Sequence, residues 1–552
     1  MKNNSFIIRN LILVAIREKV SELLALTRNL LKDIYIKNSY EINFEKINQN
    51  FLRIGAKNSP NVDKVILVDH FPIYRWLIPN LVIANYLARQ TNSQINVFSF
   101  RLLNRQNRQL YKSMLVNQIL YVKLSFRQNL ELICEYQKLL KYLKRNKLIE
   151  YKINGISIGL DIYESILRSG RPTVSLNEIQ TFRIAYLGLK QYVFFRRFFE
   201  EGKIKSVIVS HDNYIGPGLL AHMAFFYKVE VILANLYSIT SPTREFQLYE
   251  SFSRYQIYLE NLDINEIKQG MNWSKLELAK RLSGTIGAGL KYQKKSAFSG
   301  ELLSRQTSKN NVTKVLLLTH DFYDNPHGYA KMTFDDFLLW MEDTAKISIE
   351  TNFEWYVKPH RDYSYKELEV LKSFLFRNEN FKMIDPDTSF HQLKAEGVDF
   401  IVTCYGTVGH ELPLLGFTVV NASYNPHIAF DFNVTARTHS EYENILRNIE
   451  KFRIKDINAE DIYRFYFVHH RVVQNISYLG ISTDVLDSIS EGKLNTIQEL
   501  DFLLDNLETI STKAIAHLIS LKKSGRVFGF EDFLRSELQL KRQYDTSISY
   551  SE

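Results

Sequence analysis

Residues 399–420 read DFIVTCYGTVGHELPLLGFTVV, and the order of their apolar runs and glycines decides the fold. The run at 400–404 predicts a short buried strand. The glycines Gly406 and Gly409 predict a turn, 411–415 a short helix, and 418–420 a second buried strand. Glycine lets the backbone turn sharply and approach a ligand closely, and Thr407 is placed to cap the helix that follows. A helix N-terminus at the carboxyl end of a parallel strand is a ready anion site. An ordinary strand-turn-helix connection with no ligand has the same pattern.

Upstream, WYVKPHRD at 355–362 again runs from a strand into cationic and polar groups, Lys358 and His360 among them. Before it, KVLLLT at 314–319 predicts a buried strand followed by a polar loop carrying His320, Asp324 and His327. Loop spacing without a helical His pair is weak metal chemistry, so we expect no metal site and read the loop as ligand-facing. Helices are expected at 334–349, 365–374 and 390–396, the last capped by Asp387, Thr388 or Ser389. For Lys358 and Glu411 the plain alternative is a surface salt bridge or a helix-end charge.

The first half repeats the alternation. Strands are expected at 62–68, 95–99, 205–210 and 229–234, with helices at 77–89 and 219–227 and mostly helical sequence at 106–147. Strands alternating with helices argue an α/β fold with parallel sheets. In such a sheet ligands sit outside the carboxyl ends of strands, which makes His211 and Asp212, just past 205–210, the acid/base candidates of this half. His211 serves equally well as a local hydrogen-bonding group. The strand ends Ser210-His211-Asp212 and Thr319-His320-Asp321 echo one another.

The whole chain, 552 residues with 45% hydrophobic and 24% charged positions, is of globular composition and long enough for several domains. Its net charge of +10 favours anionic partners, yet it is spread without a long basic run, so no nucleic-acid partner is expected. Two cysteines, Cys134 and Cys404, exclude a disulfide framework and suit a reducing cytoplasm. No apolar run reaches the ~20 residues of a membrane span. Residues 1–50 read as an amphipathic helical segment, able to lie on an acidic membrane surface or to pack on the protein's own core. The polar stretch 304–311 separates 51–303 from 312–458, and 459–552 reads as a helical tail.

Together these motifs resemble the GT-B glycosyltransferases of bacterial surface polysaccharide (capsule and lipopolysaccharide) assembly, especially proteins of the Kdo-transferase and CDP-glycerol-polymerase type. The likeness is carried by the Lys358-Pro359-His360 strand end, the Asp385-Pro386-Asp387-Thr388-Ser389 helix start and the Gly406-Thr407-Val408-Gly409-His410-Glu411 turn. In the first half it is carried by 161–168 and 209–214. The resemblance implies two Rossmann-like domains facing a cleft, a C-terminal helix that returns to the first domain, and metal-independent transfer without a cofactor. It implies a nucleotide-sugar donor, CMP-linked by preference, and a polysaccharide or glycolipid acceptor, with the protein cytoplasmic or at the inner face of the membrane. Lys358 and His360 would then meet the donor phosphate. Thr407, Val408 and Gly409 would offer backbone N–H groups beside Gly406, Glu411 would bond the nucleotide sugar, and His211 or Asp212 would deprotonate the acceptor. The family pattern has His-Pro where this chain has His360-Arg361. A sugar-nucleotide epimerase, a glycerophosphate transferase or a non-catalytic assembly protein of the same fold are the alternatives.

Overall fold

Each apolar run becomes a strand of one of two sheets. The computed structural model describes residues 14, 17, 18, 20, 24, 44–54, 63–70, 74–100, 102–234, 239–241, 252–286, 295–328, 332–473 and 502–523. Most of the 1–50 segment, the 235–238 loop and the last residues therefore lie outside the described residues. The chain forms two units. The first holds the described residues up to 169, with 174–241 and 502–523; the second holds 170–173 and 252–473.

The first unit contains Val65–Asp69 (β1), Gln94–Ser99 (β2), Gln118–Tyr121 (β3), Lys152–Ile153 (β4), Ile156–Ser157 (β5), Ile204–Val209 (β6), Glu230–Ala234 (β7) and Ile239–Thr240 (β8). Six of them form one sheet in the order β3-β2-β1-β6-β7-β8, parallel except for β8. The second unit contains Lys314–Leu318 (β9), Glu354–Lys358 (β10), Phe381–Met383 (β11), Val398–Thr403 (β12), Thr418–Asn421 (β13) and Val434–Thr435 (β14). Its order is β11-β10-β9-β12-β13-β14, all parallel. Both are Rossmann-like sheets, built outward from the first strand in one direction and then in the other. The order reverses between β1 and β6 and again between β9 and β12, and a reversal of this kind opens a ligand crevice at the carboxyl ends.

The strands read as unbroken apolar runs because both faces are covered. Val315, Leu317, Trp355, Val357, Phe400 and Val402 pack with Trp340 and Met341 of the helix Phe337–Ser348 on one side. The alternate residues Leu316, Leu318, Tyr356, Ile401 and Val419 pack with Phe390 and Leu412 on the other. Ser389 caps the helix Phe390–Ala395, accepting from the Gln392 N–H at 3.2 Å.

Several elements differ from expectation. The described residues 252–286 and 295–303, read with the first series, pack in the second unit. The reason is the helix Ile264–Leu282, which lies along Ala459–Phe467; a Cβ on Gly270 would stand 2.3 Å from the Phe467 ring, and Trp273 meets Tyr466 at 5.5 Å. The tail is thus divided, because Leu507–Lys523 packs on Tyr74–Thr91 of the first unit. The expected helical stretch 106–147 contains the edge strand β3. Asn154 and Gly155, at φ +51° and +87°, form the tight turn of a β4–β5 hairpin, a left-handed pair that an Asn-Gly dipeptide adopts readily. Among the described residues no helix is long and apolar enough to cross a membrane.

Candidate functional site

In the second unit, Lys358 closes β10 beside the reversal point. It is 3% exposed, its Nζ donates to the Pro386 carbonyl at 2.7 Å and it lies 5.5 Å from the centre of the Phe390 ring. Burial, with Arg361 alongside, pulls its ammonium down to about 7. Arg361 donates from Nε to the Pro386 carbonyl at 3.3 Å and from Nη2 to the Asp387 carbonyl at 2.6 Å. Where the resembling family has proline, this chain has a guanidinium that ties down the 385–387 turn. His360 is exposed, and its Nδ1 accepts from the Asp362 N–H at 3.2 Å. An open cavity of about 570 Å³ adjoins this turn, lined by Lys295, Ser299, Gly300, Glu301, Arg361 and Asp387 among others.

At the end of β12 the helix is a single turn, Val408–Glu411, continued as a 3₁₀ turn to Leu415. Thr407 does not cap it through its side chain, because its own backbone is already helical, with φ −58° and ψ −22°. The Gly409 N–H donates to the Gly406 carbonyl at 3.0 Å, whereas Thr407 and Val408 stand where a helix start leaves N–H groups without intrahelical partners. Packing explains Gly409: a Cβ there would stand 2.4 Å from His427 Cε1. Glu411 lies inside the unit, not at its surface. Its Oε1 accepts from Arg281 Nε at 2.8 Å, the two side chains being 2% and 3% exposed, and its Oε2 has no hydrogen-bond partner among the described residues. Burial raises the Glu411 pKa against the opposing pull of Arg281.

The expected loop divides. His320 Nε2 accepts from the Cys404 N–H at 3.2 Å and faces Thr403 Oγ1 at 3.0 Å, while its ring stacks on Phe337 at 4.8 Å. It joins β9 to β12 across the reversal, and burial holds its pKa down at about 3. Asp324 is exposed and His327 half-buried further along. Among the described residues no group of three or more His, Cys, Asp or Glu side chains is arranged to hold a metal ion.

In the first unit the reversal point brings β1 and β6 together. Ser210 donates its N–H to Asp69 Oδ1 at 3.2 Å, and its Oγ lies 2.9 Å from Asp69 Oδ2 and 2.8 Å from His211 Nδ1. Trp76 meets the His211 ring edge-on at 4.6 Å. Burial, with Arg168 nearby, draws His211 down to about 4; burial pushes Asp69 up to about 7 against the two bonds from Ser210. Asp212 is felt instead at His222, whose positive charge opposes the rise that burial imposes on the Asp212 pKa. His222 Nδ1 bonds Asp161 Oδ2 at 2.8 Å. Burial opposes the His222 charge, but Asp161, Asp212 and Glu164 outweigh it and raise its pKa to about 9. His211 is thus tied by hydrogen bonds to Ser210 and, through it, to Asp69, whereas Asp212, adjacent in sequence, acts electrostatically on His222 and Asp161.

The echo between Ser210-His211 and Thr319-His320 is not one of position. The first follows β6, the fourth strand in Rossmann order, and the second follows β9, the first strand. Asp69-His70 is the counterpart of Thr319-His320. Asp69 and Arg281 were not singled out from sequence, and Ser210 only as part of the echo, with no role of its own. Asp69 carried a usable signal, since it ends a strand whose neighbour across the reversal is the one before His211.

No family model matches the chain, and no curated protein matches it. Among solved structures it is similar to a beta Kdo 2,4 transferase of Thermosulfurimonas dismutans, at 12% identity over 48% of this chain and 79% of that one, with a TM-score of 0.28. It is also similar to a glycosyltransferase of Rickettsia africae, at 9% identity over 82% and 98%, with a TM-score of 0.23. A third is the UDP-GlcNAc 2-epimerase of Neisseria meningitidis bound to UDP-GlcNAc, at 13% identity over 74% and 98%, with a TM-score of 0.23. Likenesses this distant carry no argument for function, which rests on the residues.

Proposed function

We propose that the chain is a glycosyltransferase moving a sugar from a nucleotide-activated donor, CMP-linked by preference, to a growing surface polysaccharide or glycolipid. The observation that carries this reading is the set of basic side chains, Lys358, His360 and Arg361, at the end of β10 next to the reversal of the second sheet. A donor phosphate there would meet Lys358 and His360 together with the Thr407 and Val408 N–H groups. Fixed positive groups aimed at a leaving phosphate stabilise the charge that develops on it. In the reaction, His211 Nε2 takes the acceptor hydroxyl proton and the acceptor oxygen bonds to the anomeric carbon. The carbon–oxygen bond to the nucleotide breaks, and its electron pair goes to the phosphate oxygen. The protein would act in the cytoplasm, at the inner face of the membrane where a lipid-linked acceptor is presented.

The test is nucleotide release from CMP-, UDP- and GDP-sugars with and without a glycolipid acceptor. Acceptor-dependent release from one donor, reduced about 100-fold or more in His211→Gln, is expected. Conversion of the donor sugar with no acceptor present would assign an epimerase instead, and no turnover of any donor would sink the transferase reading.

A further inference from the structure

The bond chain at the first reversal point fixes more than the place of His211. Ser210 Oγ has one proton and two polar neighbours, Asp69 Oδ2 at 2.9 Å and His211 Nδ1 at 2.8 Å. With Asp69 ionised, both of its oxygens accept, Oδ1 from the Ser210 N–H and Oδ2 from the Ser210 hydroxyl. Ser210 Oγ then has only lone pairs to offer, so His211 must present Nδ1–H to it. The ring proton is spent on Nδ1, and Nε2 is left with its lone pair. With Asp69 protonated the chain reverses: the carboxylic acid donates to Ser210 Oγ, the hydroxyl donates to His211 Nδ1, and the ring proton moves to Nε2. A base cannot accept at a nitrogen that already carries a proton.

We propose that Asp69 and Ser210 are positioning residues that hold His211 in the Nδ1–H form, so that Nε2 is the base, and that protonation of Asp69 switches this form off. The proposal rests on the reading of His211 as the acceptor's base, but the tautomer itself can be read without turnover. The logic parallels the serine-protease triad, in which a buried carboxylate sets the imidazole tautomer. Here a hydroxyl stands between the two. Asp69 is 1% exposed and Ser210 6%, so bulk water does not replace either partner. Among the described residues, the charged or titratable groups near the pair include Arg168, from the helix Gly159–Arg168, Tyr111, from the helix Arg105–Ser113, and His70, next to Asp69 in the chain. The Tyr111 hydroxyl lies 2.5 Å from His70 Nδ1. Neither Arg168 nor Tyr111 touches the Ser210 hydroxyl, so neither can set the direction of its proton.

Asp69→Asn isolates the effect. Its amide nitrogen can donate to Ser210 Oγ, as the protonated acid would, which locks the inactive direction at every pH. Long-range ¹⁵N–¹H spectra of the full chain labelled at histidine read the tautomer directly, with the His211 signals assigned by their loss in His211→Gln. At pH 8 the wild type should show a protonated Nδ1 and a lone-pair Nε2. Asp69→Asn should show the reverse, and Ser210→Ala, which keeps the carboxylate but removes the link, should show mixed signals. Turnover of Asp69→Asn should fall about 100-fold or more, with donor affinity unchanged. A protonated Nε2 in the wild type at pH 8, or the same tautomer in Asp69→Asn, would overturn the relay. The expected tautomers without sugar transfer in any assay would uphold the relay and remove the transferase reading alone.

Discussion

Arg281→Met should strongly destabilise the second unit, because it removes one member of a buried ion pair. The helix Ile264–Leu282 brings Arg281 to Glu411 at 2.8 Å, with the two side chains 3% and 2% exposed. Removing one member of such a pair leaves a buried carboxylate uncompensated, at a cost of about 3–5 kcal/mol. For a unit of this size each kcal/mol moves the melting temperature by about 2–4 °C, so a fall of roughly 6–20 °C is expected in a calorimetric scan at pH 8. The pH dependence gives the sign of the cause. Burial already raises the Glu411 pKa in the wild type against the pull of Arg281, and without the guanidinium nothing opposes it. The variant's deficit should therefore be greatest where Glu411 is forced to ionise and should shrink as the pH falls and the carboxyl takes up its proton. Pairing Arg281→Met with Glu411→Leu removes both charges and should recover most of the loss. A deficit that stays constant from pH 8 to pH 5, or a double variant no more stable than the single, would refute the argument that charge burial is responsible.

Gly409→Ala should cost about 1–3 kcal/mol in urea titration, because its Cβ would stand 2.4 Å from the His427 ring; full stability would contradict the packing account. Nucleotide affinity should weaken as the pH rises through about 7, by up to tenfold per unit, because Lys358 loses its proton there; an unchanged affinity between pH 6.5 and 8.5 would remove Lys358 from the phosphate. Burial holds His410, His427 and His469 below the ordinary histidine value, with His427 at about 3. The unfolded chain thus binds more protons below about pH 6.5, so the melting temperature should fall as the pH drops from 7 to 5, with each histidine contributing up to about 1.4 kcal/mol per pH unit. A flat profile would show that these side chains are not held neutral.

The sheets were legible because long-lived apolar runs such as 314–318 and 398–403 need both faces covered, and only a parallel sheet between helix layers provides that. Short edge strands were not. β3 is four residues with one buried side chain, set in leucine- and tyrosine-rich sequence that suits a helix equally well. The β4–β5 hairpin was announced by Asn154-Gly155 and could have been read. Candidate groups at strand ends, such as Lys358 and His211, were visible because topology places them there. Their partners were harder to see, since Ser210 is 141 residues from Asp69 and Arg281 is 130 from Glu411; of these only Asp69, at a strand end, carried a signal. Gly409 shows the opposite error: a glycine in a turn suggests a ligand, and here the close neighbour is the protein's own histidine.

The most direct measurement is the change in melting temperature of the purified chain on addition of CMP, CDP, UDP or GDP, since a ligand that binds only the folded state raises it. The account predicts a rise with one nucleotide that is lost in Lys358→Met and kept in His211→Gln, which lies in the other unit. No rise with any nucleotide, or a rise that Lys358→Met leaves intact, would contradict a donor site at the end of β10.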